Sequence, residues 1–143
     1  MSRRQGREAA LKALFQVELG ETEPNFALQQ LVAEDQLTEY VADFARRLIE
    51  GVLDNQKEVD AVLTRFSTDW SLQRMANVDR MVLRLAAYEL LFCPDIPAAV
   101  AINEAVELVK LYSTGKSGRF VNGILSSVAR AKLAKGGKTN CDK

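Results

Sequence analysis

A short polar turn carries the residue types best suited to binding an anion. The run STGKSG at positions 113–118 lies between two segments with helical apolar spacing. A glycine-containing turn exposes backbone N–H groups, and the helix that follows presents its positive end to an anion. Lys116 and Arg119 add two positive side chains. This combination predicts contact with a phosphodiester backbone without a catalytic step.

The same turn does not meet the requirements of nucleotide hydrolysis. A P-loop has the pattern G-x-x-x-x-G-K-[ST] and follows a buried strand. Here the position of the first glycine is Lys110, and no strand pattern precedes it. The chain contains no histidine, which excludes His-dependent nucleophiles and most zinc sites. We expect that the protein is not an enzyme and binds no cofactor or metal. If it were an enzyme, the alternative would be a small phosphate-handling enzyme that uses Lys116.

Phe120 follows Arg119 directly and lies beside, rather than within, the apolar stripe of its segment. That stripe consists of Val121, Ile124, Leu125 and Val128. An aromatic ring half exposed among cations is a stacking platform for an unpaired base. The alternative is a ring that fills the core against a neighbouring helix. The residues alone leave both interpretations open and slightly favour the core.

A second basic cluster, Arg3, Arg4 and Arg7, stands near the start of the chain. Positive charges at the N-terminus of a helix oppose the helix dipole. Either these arginines face water, or they are placed for phosphates, and the residues alone weigh the two equally. Gly6 within the cluster predicts a flexible segment that orders on binding.

Charge is segregated along the chain although the net charge is zero. Residues 13–60 contain eleven acidic and three basic residues, whereas the chain from Lys110 onward contains eight basic residues and one acidic residue. Such segregation predicts one surface for a polyanion and another for a different partner.

The elements that position these residues are all predicted to be helices. Apolar residues recur at three- and four-residue spacing, and no segment alternates with period two. Seven helices are expected, at 2–19, 25–34, 39–53, after Asn55 to Phe66, 77–92, 97–112 and about 118–133. The segment 77–92, which Asn77 is expected to cap, is apolar nearly all round and should be buried in the middle of the fold.

Domain organisation and location follow from composition. Residues 1–134 are expected to form a single domain, and 135–143 a disordered basic tail. No apolar run is long enough to span a bilayer, and no apolar region follows the arginines as in a secretory signal. The two cysteines do not suggest a disulfide framework. A cytoplasmic protein with no membrane partner is expected.

Three sequence blocks together resemble the NusB family of transcription antitermination proteins. They are the arginines followed by REAALKALFQ, the run VLRLAAYELL, and AINEAVELVK followed by FVNGIL. The resemblance implies an all-helical fold of two packed helical subdomains and a non-enzymatic factor. It implies binding to boxA, a short single-stranded RNA element in the leaders of ribosomal RNA operons, together with the ribosomal protein NusE. The pair would join the RNA polymerase antitermination complex and promote rRNA transcription.

The resemblance also implies roles for individual residues. The RNA-binding set expected from it and from the basic residues is Arg3, Arg4, Arg7, Phe15, Asp79, Arg80, Arg84, Lys116, Arg119 and Phe120. In the family, the aromatic of the first helix falls on Phe15 and the aromatic before V-N-G on Phe120, which favours RNA contact for Phe120. An acidic–basic pair near the RNA and NusE contacts falls on Asp79 and Arg80.

Two departures and two open questions accompany the resemblance. Gln5 and Gly6 interrupt the arginine cluster, and Lys116 stands where some relatives carry an acid. Some family members form homodimers, so a homodimer is a further expectation. The alternative to an RNA-binding factor is a protein-binding helical adaptor without direct RNA contact.

Overall fold

Helices account for nearly all of the structure, which is a computed structural model that describes residues 3–67, 71–113 and 116–139, with side chains through Leu133. Within these ranges there are seven α-helices, a single 3-10 turn and no β-strand. This confirms the prediction of an all-α fold. The helices are α1 (Arg3–Gly20), α2 (Pro24–Asp35), α3 (Glu39–Asp54), α4 (Gln56–Phe66), α5 (Asn77–Phe92), α6 (Ala98–Tyr112) and α7 (Ser117–Thr139), and the 3-10 turn is Leu72–Arg74.

The last helix is longer than the apolar pattern predicts. The sequence places its end near Leu133, whereas α7 continues to Thr139 and so enters the segment predicted to be a tail. Residues 140–143 lie outside the described residues. The single-domain boundary at 134 and the disorder of residues 135–143 therefore stay predictions.

The chain divides into two compact units, Met1–Gln56 and Lys57–Lys143. In the first unit α1, α2 and α3 pack on one another. The side chains that form this core are apolar and recur at helical spacing; they include Leu11, Leu14, Leu28, Leu31, Leu48 and Val52. Burial of these stripes is the main stabilising contribution to the unit.

Capping sets the helix boundaries in the first unit. Pro24 occupies the first position of α2, where a missing N–H costs nothing. The carboxylate of Glu23 accepts a hydrogen bond from the Phe26 N–H at 3.1 Å. Thr38 begins α3 in the same way, because its hydroxyl oxygen accepts from the Val41 N–H at 3.3 Å.

A close approach between α1 and α3 depends on Gly6. A Cβ atom at this position would lie 2.8 Å from Cδ2 of Phe44 and 3.3 Å from the carbonyl oxygen of Val41. Gly6 is buried and helical. The prediction that Gly6 makes this segment flexible is therefore wrong; the residue lacks a side chain because α3 occupies the space.

The second unit is built around α5. Every residue of α5 from Met81 to Leu90 is buried, as the all-round apolar pattern predicts. Both α6 and α7 pack against it and against each other. Lys132 on α7 donates from Nζ to the carbonyl oxygen of Leu90 at 2.5 Å, which satisfies an acceptor in the last turn of α5.

Helix length and hydropathy bear on membrane insertion. Across the described residues, no helix is long and apolar enough to cross a membrane.

Replacing Gly6 by alanine tests the close approach of α1 and α3. We expect Gly6→Ala to lower the free energy of unfolding by about 1–3 kcal/mol, because the added methyl group overpacks the contact with Phe44. Urea denaturation measures this change.

Gly123→Ala is the matched control. Among the described residues, a Cβ at Gly123 meets no atom of another element within 4 Å. Alanine should therefore stabilise α7 by about 0.5–1 kcal/mol through helix propensity. Equal effects of the two substitutions would contradict the packing role of Gly6.

Candidate nucleic-acid interface

A groove of about 340 Å³ in the second unit contains several of the sequence-predicted residues. It is bounded on one side by the 3-10 turn and the chain that follows, and on another by the start of α7. The residues that line it are Arg74, Met75, Ala76, Asp79, Lys116, Ser117 and Phe120. Its surface thus combines apolar and aromatic groups with two cations, which suits a ligand that has both a flat ring and a negative charge.

Asp79 ties the two ends of the basic turn to α5. Its carboxylate accepts a hydrogen bond from the Ser113 hydroxyl at Oδ1 and one from the Ser117 hydroxyl at Oδ2, both at 2.9 Å. The two hydroxyl oxygens lie 3.0 Å apart. Ser113 follows α6 and Ser117 begins α7. One carboxylate, 8% exposed, therefore joins three helices.

Arg80 binds the segment of the chain that contributes Arg74 and Met75 to the groove. Its Nη1 donates to the carbonyl oxygens of Leu72 at 3.2 Å and Met75 at 3.4 Å. Its Nη2 donates to Oδ1 of Asn77 at 2.6 Å. The guanidinium therefore fastens the 3-10 turn to the first turn of α5.

The role predicted for Asn77 as a helix cap is wrong. Asn77 is the first helical residue of α5, and Ala76 occupies the cap position without a side-chain hydrogen bond. The Asn77 amide oxygen is instead used to bind Arg80. A hydrogen bond from the charged Arg80 guanidinium is stronger than one from a neutral backbone N–H, and the Asn77 amide oxygen accepts the stronger bond.

Arg84 is directed into the interior of the second unit. Its Nε donates to Oδ1 of Asp60 at 2.8 Å and its Nη2 to Oδ2 at 3.0 Å, a two-bond fork between α4 and α5. Arg84 is 8% exposed. This placement favours a structural role, and RNA contact by Arg84 stays a prediction.

The groove presents its charge through exposed side chains. Lys116 and Arg74 are exposed, and Phe120 is half-buried; Arg119 is exposed on α7 next to Phe120 but does not line the groove. Within the part of the chain that the structure describes, neither Lys116 nor Arg119 forms an ion pair. Thr114 and Gly115, whose N–H groups the sequence suggested as anion donors, lie outside the described residues.

In the first unit, an aromatic ring organises the N-terminal arginines. The guanidinium carbons of Arg3 and Arg7 lie 4.6 Å and 5.3 Å from the centre of the Phe44 ring. Arg3 also donates from Nε to the hydroxyl oxygen of Tyr40 at 3.3 Å. Such cation–π contacts restrict the arginines even when solvent-accessible. Arg7 is buried, so it stabilises this arrangement more than it presents charge.

The remaining two predicted residues of the first unit lie on α1. Arg4 is exposed, and Phe15 is half-buried. Their placement leaves both side chains partly accessible to a ligand, and their role in RNA binding stays a prediction.

Sequence reasoning missed several residues that line the groove, among them Arg74, Met75 and Ser117, and it also missed Ser113, which donates to Asp79. The two serines were interpreted only as turn formers. A signal for them was present, because an aspartate on a helix buried nearly all round needs hydrogen-bond partners. Serines on either side of a turn are suitable donors. Arg74 carried no comparable signal, since its position depends on how the 3-10 turn folds back on α5.

Comparison with known proteins decides the family. Residues 4–130 match the model described as the NusB family. The chain belongs to the NusB family of transcription antitermination proteins. This confirms the resemblance found in the sequence, and with it the assignment of the chain to a non-enzymatic family.

Individual NusB relatives support the same assignment. The transcription antitermination protein NusB of Heliobacterium modesticaldum is 48% identical over 141 residues, which cover 98% of this chain and 68% of the relative. The structure of T. maritima NusB is 43% identical and superposes with a TM-score of 0.84, covering 91% of this chain and 92% of that one. A crystal structure of the antitermination factors NusB and NusE in complex with dsRNA gives 28% identity and a TM-score of 0.83, covering 90% and 96%.

Removing the carboxylate of Asp60 tests the structural role of Arg84. We expect Asp60→Ala to lower the free energy of unfolding by about 2–3 kcal/mol, because it removes the two charge-assisted hydrogen bonds that Asp60 accepts from the buried Arg84 guanidinium. Thermal or urea denaturation measures the loss.

The control uses an exposed pair of the same chemistry. Arg46 and Asp43 lie 2.9 Å apart with side chains 43% and 63% exposed. Asp43→Ala should cost no more than about 0.5 kcal/mol, as is usual for a surface pair. An Asp60 substitution as mild as this control would show that Arg84 does not depend on Asp60.

Proposed function

We propose that this protein binds boxA, a short single-stranded RNA element in the leaders of ribosomal RNA operons, together with NusE, and so promotes rRNA transcription. The observation that carries the proposal is the groove in which Phe120 lies beside Lys116 and Arg74. Support comes from the crystal structure in which NusB and NusE relatives are in complex with dsRNA.

The groove is suited to an unpaired nucleotide. A base removed from the stack offers a flat face, and half-buried Phe120 offers an aromatic face at a groove wall. Lys116, Arg119 and Arg74 supply positive charge for the phosphates on either side of such a base. All three side chains are exposed. Their attraction to RNA releases counterions, so binding weakens as salt rises.

The first unit contributes its own basic residues. Arg3 is held on Phe44 and Tyr40, and a side chain restricted in this way loses less entropy when it binds a phosphate. Arg4 is exposed on the same helix. We assign these two arginines to phosphate contacts and Phe15 to contact with a base.

NusE is the proposed protein partner, and the acidic segment 13–60 supplies the charge to attract a basic ribosomal protein. In this account RNA and NusE bind cooperatively, and each must raise the affinity of the other by the same factor. The complex then joins RNA polymerase in the cytoplasm. A homodimer in the absence of partners stays a prediction, which the mass in solution tests.

A titration with boxA-like single-stranded RNA tests RNA binding directly. We expect measurable affinity at low salt and a steep loss as salt rises. Lys116→Gln/Arg119→Gln should reduce the slope of log affinity against log salt by about 1.4, because each phosphate contact on a single strand contributes about 0.7.

Lys110→Gln is the matched control for charge. Lys110 is exposed on α6, and its Nζ lies 3.6 Å from Oε2 of Glu107. Its removal should leave the slope unchanged. No binding at low salt would favour the protein-binding adaptor instead, and tighter binding of a duplex than of a single strand would overturn the single-strand assignment.

Phe120→Ala tests base stacking. We expect RNA affinity to fall by about 1–3 kcal/mol, the usual contribution of one base stacked on an aromatic side chain. The melting temperature should change much less than RNA binding does. Phe26→Ala, at an exposed phenylalanine of α2, should leave RNA affinity unchanged. Unfolding of the Phe120 variant would instead identify Phe120 as a core residue.

A further inference from the structure

Two consecutive residues at the start of α5 hold different walls of the groove. Asp79 binds Ser113 and Ser117, which flank the basic turn that carries Lys116. Arg80 binds the carbonyl oxygens of Leu72 and Met75, on either side of Arg74. The segments that carry Lys116 and Arg74 are therefore both bound from one turn of one buried helix.

We propose that Asp79 and Arg80 are positioning residues for RNA binding, which set the two walls of the groove without contacting the RNA themselves. This inference rests on the proposed function of the groove. It changes the role expected for this acidic–basic pair from direct contact to support.

The chemistry of Asp79 supports a positioning role. A carboxylate next to a phosphodiester repels it, so Asp79 lowers RNA affinity unless it acts through another group. Each of its oxygens accepts a hydroxyl hydrogen bond, and the residue is 8% exposed. The negative charge of Asp79 is therefore stabilised by hydrogen bonds within the protein. Holding Ser117 restricts the backbone next to Lys116 before RNA arrives, which reduces the entropy lost on binding.

The geometry of Arg80 supports the same conclusion. Its two terminal nitrogens donate to at least three acceptors: one on the 3-10 turn, one on the residue after it, and one in the first turn of α5. Guanidinium is planar and presents its N–H groups in a fixed fork, so one arginine can join several acceptors at once. A lysine keeps the charge but cannot reproduce the fork. Arg80→Lys therefore separates positioning from charge.

The first experiment removes the hydroxyls that Asp79 holds. Ser113→Ala/Ser117→Ala should weaken binding of boxA-like single-stranded RNA about tenfold, which corresponds to about 1.4 kcal/mol. Ser113→Ala alone keeps the Ser117 bond and should weaken binding about threefold, so it provides the measurement if the double variant does not fold. Ser113→Thr restores a hydroxyl and should bring affinity back to within about twofold of the original.

The control removes two hydroxyls elsewhere on α7. Ser126 donates to Oδ1 of Asn122 and Ser127 to the carbonyl oxygen of Gly123, both within the helix. Ser126→Ala/Ser127→Ala should leave RNA affinity unchanged. An unchanged affinity for the Ser113→Ala/Ser117→Ala variant as well would overturn the positioning role of Asp79.

Combining Ser113→Ala/Ser117→Ala with Lys116→Ala tests whether the serines act on RNA binding through Lys116 or independently of it. If Asp79 acts through the turn, adding Lys116→Ala to the serine double variant should cost less than it does in the original protein. Full additivity would overturn the inference.

A separate substitution tests Arg80. Arg80→Lys should weaken RNA binding about threefold although the charge is kept. Affinity equal to the original would overturn the positioning role of Arg80.

The same measurements separate failure of the inference from failure of the proposed function. If Lys116→Ala and Phe120→Ala bind RNA as tightly as the original protein, the groove is not the RNA site and both proposals fall. If those two variants bind weakly while the serine double variant and Arg80→Lys bind normally, the groove binds RNA and only the positioning role is wrong.

Discussion

Burial of α5 on all sides is the constraint on which the second unit depends. A helix with no exposed face from Met81 to Leu90 must be covered by its neighbours, and α6 and α7 pack on it. Its interior charges are satisfied within the fold, since Arg84 binds Asp60 with two short hydrogen bonds. Only the ends of such a helix can reach the surface, and its N-terminal turn is the end that forms part of the groove.

The N-terminal turn of α5 forms part of the candidate binding site, because Asp79 lines the groove. Asp79 and Arg80 bind the neighbouring segments of the chain through side-chain hydrogen bonds. The exposed cations and the Phe120 ring lie on the segments that the pair holds. In the first unit the N-terminal arginines are held by an aromatic ring instead, because Arg3 and Arg7 lie over the ring of Phe44. In both units, rigid support lies behind the charge that a polyanion would meet.

Periodicity predicted much of this architecture, because helical stripes depend on local spacing. The buried circumference of α5 and the helical arms around the basic turn followed from that spacing. Long-range contacts did not follow. The close approach of Phe44 to Gly6 and the hydrogen bond from Arg80 to Asn77 both join residues whose proximity depends on the fold, so the sequence predicted a flexible Gly6 and a capping Asn77 instead. The pairing of Asp79 with two serines more than thirty residues away likewise depends on tertiary packing.

The most direct test of the account is an amide NMR titration of the full chain with boxA-like single-stranded RNA. We expect the largest shifts in the second unit at Lys116, Ser117, Arg119 and Phe120, with smaller shifts at Arg74 and Met75, which also line the groove. The Arg84 amide, inside the buried part of α5, should move little. Shifts absent from both walls of the groove at saturating RNA would contradict the account.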